Sequence, residues 1–231
     1  MSDNIIKTFN TVGPCVPSEH YMLPVLPRQP EIDEMIDGKF YFILHAPRQS
    51  GKTTLLDALT DSINADGKMY ALACSLMGVR GILDRNESMT TVVSQINAAL
   101  FLSQEDILRQ KAYIFDNLIG MNAPDTKVRF LLNYLCESLD KDLVIFFDEA
   151  DCFTDTSLVT FLSQIRDAYN TRHKRGNKFP RSMALVGLRD IRDYLAQARP
   201  DAMSKGIASP FNIKKKALTL ANFTLDEIEI L

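Results

Sequence analysis

Residues 46–53 read Ala46-Pro47-Arg48-Gln49-Ser50-Gly51-Lys52-Thr53. This stretch fits the phosphate-binding pattern A/G-x-x-x-x-G-K-S/T, with alanine at its first position. The unbroken apolar run at 39–45 is typical of a strand buried on both faces of a parallel sheet. Behind the pattern, residues 53–65 carry leucines and an isoleucine at helical spacing. The stretch therefore lies between a strand and a helix, where loop N–H groups and a helix N-terminus converge on an anion.

The pattern gives roles to individual side chains. The Lys52 ammonium is expected to reach the β and γ phosphates of a nucleotide, and the Thr53 hydroxyl to bind Mg²⁺. The other residues predicted to bind the nucleotide are Ala46, Pro47, Arg48, Gln49, Ser50, Gly51 and Thr54. A chance match is the alternative, and the strand-loop-helix context argues against it.

A second motif follows another apolar run, at 143–147, which ends in Asp148 and Glu149. Open parallel sheets bind ligands at the carboxyl edge, where this run delivers its two carboxylates. Asp148 is predicted to hold the Mg²⁺ shell, and Glu149 to orient and deprotonate the attacking water. A solvated turn after a core strand is the alternative. The tetrapeptide 148–151 also occurs in helicases, but those need a second motor domain, for which too little chain follows.

A third candidate, Arg189, comes directly after the predicted strand at 183–188. It could sense the γ phosphate or stabilise charge in the transition state. An arginine that only caps the strand is an equal alternative.

Two basic clusters are interpreted as solvated loops, with a phosphate-contacting patch for nucleic acid as the weaker reading: 172–175 with Lys178 and Arg181, and 214–216.

Strands alternate with helices along the chain, which predicts an α/β P-loop NTPase with a doubly wound, mostly parallel five-stranded sheet and flanking helices. The predicted strands are 39–45, 68–75, 143–147, 183–188 and 217–221. The predicted helices are 30–37, 53–65, 89–102, one opened by a capping box of Ser103 and Asp106, 125–139, 156–171 and 190–198.

Three segments are expected. Residues 1–30 are proline-rich and predicted to form an extended arm, with a disordered tail as the alternative. Residues 31–222 are expected to form the core domain. Residues 223–231 begin with a capping box of Thr224 and Glu227, which predicts the start of a further helix. Docking of this last helix on the core is the competing view.

Composition limits the class of protein. Hydrophobic residues make up 46% and charged residues 24% of the 231 residues, as in ordinary globular domains. The formal charge of −3 gives no reason to expect nucleic acid as an obligatory partner. No signal-peptide pattern and no apolar run of membrane-spanning length is visible, which predicts a cytoplasmic protein without a membrane partner. The four cysteines are widely spaced and are expected to be free thiols.

Several stretches together resemble bacterial AAA-like P-loop ATP-binding proteins, which look related to initiator-like and STAND ATPases. The resemblance is carried by 8–14, His20-Tyr21, 45–54, Phe147-Asp148-Glu149, 187–190 and 209–213. It implies ATP and Mg²⁺ as ligands and places His20 and Tyr21, with the proline-rich arm, beside the adenine. It also implies that residues 31–222 are an AAA-like ATPase core and that residues 223–231 start a helical lid, which is expected to be truncated or absent. The family often carries a PD-(D/E)xK nuclease-like domain after the ATPase.

The leading hypothesis is Mg²⁺-dependent ATP hydrolysis that drives or gates a protein partner or an adjacent effector domain. The alternative is a nucleotide-gated regulatory module with negligible turnover. Glu149 favours hydrolysis, because a pure binding module has no use for a base at that position. A small-molecule kinase is a third and less favoured possibility.

Overall fold

A computed structural model of the chain describes residues 7–11, 13–26, 29–47, 49–112, 123–174, 177–187, 213–220 and 223–229. The strands are β1 Tyr41–His45, β2 Tyr70–Ser75, β3 Leu143–Asp148, β4 Ser182–Gly187 and β5 Lys214–Thr219. The helices are α1 Pro30–Asp37, α2 Lys52–Asp66, α3 Arg85–Leu102, α4 Asp106–Ala112, α5 Lys127–Glu137, α6 Asp155–Thr171 and α7 Leu225–Ile228. Short 3₁₀ turns lie at Met77–Val79 and Ala150–Cys152.

The described strands form one five-stranded sheet in the order β2-β3-β4-β1-β5, and every pairing is parallel. The predicted α/β class with a five-stranded parallel sheet is confirmed. Along the sheet Ser75 pairs with Asp148, and His45 pairs with Gly187. The ends of these four strands therefore meet at one carboxyl edge.

Both faces of the sheet are covered. In β1, Tyr41 and Ile43 pack into a core cluster with residues of α3, α5 and α6. The alternating residues Phe42 and Leu44 pack into a second cluster with residues of α1 and α2. A strand buried on both faces needs apolar side chains at successive positions, which is why the strand sequences show unbroken apolar runs.

Some predicted boundaries were wrong. The helix predicted from residue 89 begins at Arg85, because the side chain of Asp84 accepts a hydrogen bond from the N–H of Glu87 and caps it. The predicted capping box at Ser103 is also wrong. The Ser103 hydroxyl accepts a hydrogen bond from the Glu105 N–H, and α4 starts only at Asp106.

The lysine run at 214–216 was interpreted as a solvated loop, and that interpretation is wrong. It forms the first half of β5, which pairs with β1 and lies at the end of the sheet. Lys215 and Lys216 are exposed, and Lys216 forms an ion pair with Glu31 at 2.8 Å. Charged side chains on an edge strand discourage pairing with further strands. The helix predicted at 190–198 lies outside the described residues.

The described residues of the other basic cluster lie between α6 and β4, so they lie at the amino edge of the sheet, opposite the edge that carries the loop after β1. There Arg172 lies over the Tyr169 ring, 3.5 Å from its centroid, and Arg181 pairs with Asp142. Both side chains thus have partners within the fold.

Two terminal segments have defined contacts. In the arm, Thr8 and His20 form a β-bridge, and the Cys15 N–H donates to the Thr54 hydroxyl of α2 at 3.2 Å. At the other end, Thr224 caps α7 through the predicted capping box with Glu227. The division into arm, core and lid remains a prediction. No helix in the described part of the chain is long and apolar enough to cross a membrane.

Candidate functional site

The loop between β1 and α2 is built around a left-handed turn. Gly51 has a φ of 84° and is the N-cap of α2, a conformation that glycine adopts at little cost. Gln49 also has a positive φ, of 58°. The Ser50 hydroxyl donates to the Pro47 carbonyl at 2.7 Å. Arg48 lies outside the described residues, so its predicted role stays a prediction.

Lys52, the first residue of α2, turns back over this loop. Its ammonium donates to the carbonyl oxygens of Ala46 at 2.9 Å and Pro47 at 2.6 Å. The charge is therefore held within the loop that the sequence pattern predicts to bind phosphate.

The two sequence motifs meet at Thr53. Its hydroxyl donates to the Asp148 carboxylate at 2.9 Å, across 95 positions of sequence. Asp148 is buried, and its second oxygen accepts from the Glu149 N–H at 2.8 Å. The pair of side chains predicted to hold Mg²⁺ is thus brought into direct contact.

Glu149 sits on a left-handed turn, with a φ of 56°, between β3 and the 3₁₀ turn that follows. The Ser75 hydroxyl at the end of β2 donates to its carboxylate at 3.2 Å. Burial, and then the negative charge of Asp148, raise the pKa of the Glu149 carboxyl above its ordinary value. A carboxyl with a raised pKa is a stronger base than a solvated one.

These groups open into a cavity of about 630 Å³, the size of a small-molecule site. It is lined by Gly13, Pro14, Gln49, Gly51, Lys52, Thr53, Thr54, Ser75, Met77, Arg80, Asp148, Glu149, Asp151 and Gly187. The cavity therefore gathers the acidic pair and five of the predicted loop residues, Gln49 and 51–54, whereas Ala46, Pro47 and Ser50 are not part of its lining.

Two predicted binding residues of the arm lie elsewhere. The ring nitrogen Nδ1 of His20 accepts from the Val16 N–H at 2.9 Å, and the Tyr21 ring lies 5.1 Å from the Phe9 ring. Neither residue belongs to the cavity lining, where Gly13 and Pro14 represent the arm instead. Arg189 lies outside the described residues, and contact of all three with a nucleotide stays a prediction.

Sequence reasoning missed several lining residues. Ser75 could have been found, since it is a polar residue that ends an apolar strand. Gly187 ends β4, and a Cβ built there would lie 2.9 Å from the Asp151 carboxylate, so any side chain would displace Asp151. Met77 and Arg80 follow β2 in a turn that matches no motif.

The donor set suits Mg²⁺. A hydroxyl and a carboxylate 2.9 Å apart supply two oxygen ligands, and Mg²⁺ in nucleotide sites typically takes its others from phosphates and water. Within the described residues no group of three or more His, Cys, Asp or Glu is arranged to hold a metal by itself. The site thus fits a metal that arrives with a phosphate ligand.

A parallel α/β sheet with a phosphate-binding loop after one strand and an acidic pair after another defines a P-loop nucleotide-binding fold. Comparison with solved structures agrees. Cdc6p from Pyrobaculum aerophilum matches with a TM-score of 0.54 at 16% identity, over 92% of this chain and 50% of that one. The ORC2 protein of Aeropyrum pernix, in ADPNP-ADP complexes, matches with a TM-score of 0.50 at 13% identity, over 88% and 48%.

The protein therefore has the α/β P-loop fold of these structures and spans about half of their length. Protein-family models and curated protein sequences give no match to the chain.

Proposed function

We propose that the protein binds ATP with Mg²⁺ and hydrolyses it to ADP and phosphate, and that this cycle drives or gates a protein partner or an adjacent effector domain. The observation that carries the proposal is the contact between Thr53 and Asp148, with Glu149 next in the chain. Three side chains that are predicted to act on the nucleotide, those of Thr53, Asp148 and Glu149, therefore line one cavity.

In this proposal each residue has a separate task. Lys52 neutralises phosphate charge, while Thr53 and Asp148 hold Mg²⁺, which when bound offsets the charge of the β and γ phosphates. Glu149 accepts the proton of the attacking water, and its raised pKa suits that role. Arg189 is proposed to stabilise charge on the γ phosphate.

The alternative function, a nucleotide-gated module with negligible turnover, is favoured by one contact. The Ser75 hydroxyl engages the carboxylate that would serve as the base. In a gated module, turnover would wait until a partner released that carboxylate. The partner is proposed to be a protein and the location to be the cytoplasm.

Steady-state ATP hydrolysis by wild type and Glu149→Gln tests the proposal. The amide keeps the shape of the side chain but cannot accept a proton, so turnover should fall about 10²–10⁴-fold. ATP affinity should remain. Equal turnover in both proteins would remove Glu149 as the base. If wild type binds ATP but does not hydrolyse it, the hypothesis of a nucleotide-gated module replaces the hypothesis of an ATPase.

A further inference from the structure

Arg80 provides a second positive charge in the cavity and follows β2, which is separated by two strands from β1 and the predicted phosphate-binding loop. It closes the 3₁₀ turn Met77–Val79, where its N–H donates to the Met77 carbonyl at 3.0 Å. Its exposed side chain lines the same cavity as Lys52 and Glu149. Arg80 ends the turn that follows β2, Lys52 begins the helix that follows β1, and β3 and β4 lie between those two strands.

The present partner of the guanidinium is a weak one. Its Nη2 donates to the Cys152 sulfur at 2.9 Å. Burial raises the pKa of the Cys152 thiol, so the sulfur stays neutral near pH 7, and a neutral sulfur is a poor acceptor. The ion pairs seen among the described residues do not include Arg80, although three carboxylates line the cavity. Its positive charge acts on the Glu149 carboxyl from a distance and opposes the rise of that pKa. A phosphate oxygen could therefore replace the sulfur as hydrogen-bond acceptor without breaking an ion pair.

The arrangement of the strands sets where such a phosphate would lie. The loop after β1 is predicted to hold the β phosphate, whereas Glu149, after β3, has to reach the water that attacks the terminal phosphate. That terminal phosphate must then point along the carboxyl edge, away from β1. The turn after β2, which carries Arg80, lies next in that direction.

We propose that Arg80 binds the terminal phosphate of a nucleoside triphosphate and so lets the site distinguish ATP from ADP. This inference rests on the proposed nucleotide binding but does not require hydrolysis. The guanidinium leaves the Cys152 thiol and forms charge-assisted hydrogen bonds to phosphate oxygens. Its planar, forked arrangement of N–H donors matches the spacing of two oxygens of one phosphate.

The test compares wild type with Arg80→Gln, using Mg²⁺ with ADP and Mg²⁺ with a non-hydrolysable ATP analogue, each titrated by calorimetry. The variant should bind the analogue about tenfold more weakly, or worse, which is the effect of one charged hydrogen bond. Its affinity for ADP should not change. Arg80→Lys should lose less affinity for the ATP analogue, because lysine keeps the positive charge although it lacks the planar pair of N–H donors.

Arg109→Gln is the matched control, because Arg109 is an exposed arginine on α4 that pairs with Asp106 and is not part of the cavity lining. It should bind both nucleotides as wild type does. Equal loss of both nucleotides in Arg80→Gln, or loss of neither, would overturn the role of Arg80 and leave nucleotide binding intact. Failure of wild type to bind either nucleotide would instead overturn the proposed function itself.

Discussion

At the scale of single residues, the Lys52 ammonium is the cation predicted to meet the phosphates of a nucleotide. It donates to two carbonyls of its own loop, Ala46 and Pro47. In Lys52→Ala the loop loses both bonds, and a bound phosphate loses its nearest predicted cation. We expect ATP affinity to fall at least ~10–100-fold, since a hydrogen bond to a charged group contributes about 1.5–3 kcal/mol.

Titration with a fluorescent ATP analogue measures this loss. Lys68→Ala serves as the control, because Lys68 is an exposed lysine that pairs with Asp66 and is not part of the cavity lining. It should bind the analogue as wild type does. Equal affinities for wild type and Lys52→Ala would remove the loop from the proposed site.

The cysteines give a second prediction at this scale. Burial raises the pKa of the Cys74 thiol to about 12 and that of Cys136 still further, while Cys15 is partly exposed. At pH 8 only about one Cys74 thiol in 10⁴ is a thiolate, which is the reactive form. A thiol reagent should therefore label Cys15 in the native protein, and Cys74 and Cys136 only after unfolding. Peptide mass spectrometry locates the label, and rapid native labelling of Cys74 would contradict its burial.

At the scale of elements, the sequence predicted those whose ends carry a local signal. Helix α1 has Pro30 at its first position and Gly38 after its last, and the predicted bounds are the observed ones. The start of α3 carried a comparable signal in Asp84 and Glu87, spaced as in a capping box, and it was missed. The start of strand β5 gave no such signal, because an exposed edge strand can begin with lysines, and the strand was therefore predicted only from residue 217.

The cap of α3 can be tested directly. In Asp84→Ala the Glu87 N–H loses its acceptor at 2.8 Å, and the first turn of an eighteen-residue helix is left uncapped. The free energy of unfolding should fall by about 1 kcal/mol. Urea denaturation measures it as a lower midpoint at unchanged slope. Asp61→Ala, an exposed change on α2, should stay within about 0.5 kcal/mol of wild type.

At the scale of the whole molecule, the cavity joins segments that are remote in sequence. Its lining runs from Gly13 in the arm to Gly187 at the end of β4. Motif spacing predicted the loop and the acidic pair, since each is contiguous. Ser75 and Arg80 reach the cavity because β2 lies beside β3 in the sheet. No short sequence motif predicts which strands are neighbours, so these two residues could not be assigned to the site from the sequence. The contact between the arm and Thr54 likewise arises only in the folded chain.

Because the cavity joins the arm, the loop and the acidic turn, a ligand there should stabilise the entire fold. At a hundred times its Kd, a nucleotide that binds only the native state adds about 2.7 kcal/mol. In a domain of this size that corresponds to a rise of roughly 5–10 °C in Tm.

Calorimetric scans with ATP and Mg²⁺ should show this rise in wild type. Chelating the metal with EDTA should reduce it, since Thr53 and Asp148 are then left without the ion they are proposed to share. In Asp148→Asn a neutral amide replaces the carboxylate, so ATP should give a smaller rise that EDTA hardly changes. A rise of the same size with and without EDTA in wild type would remove Thr53 and Asp148 as metal ligands while leaving the phosphate-binding loop in place.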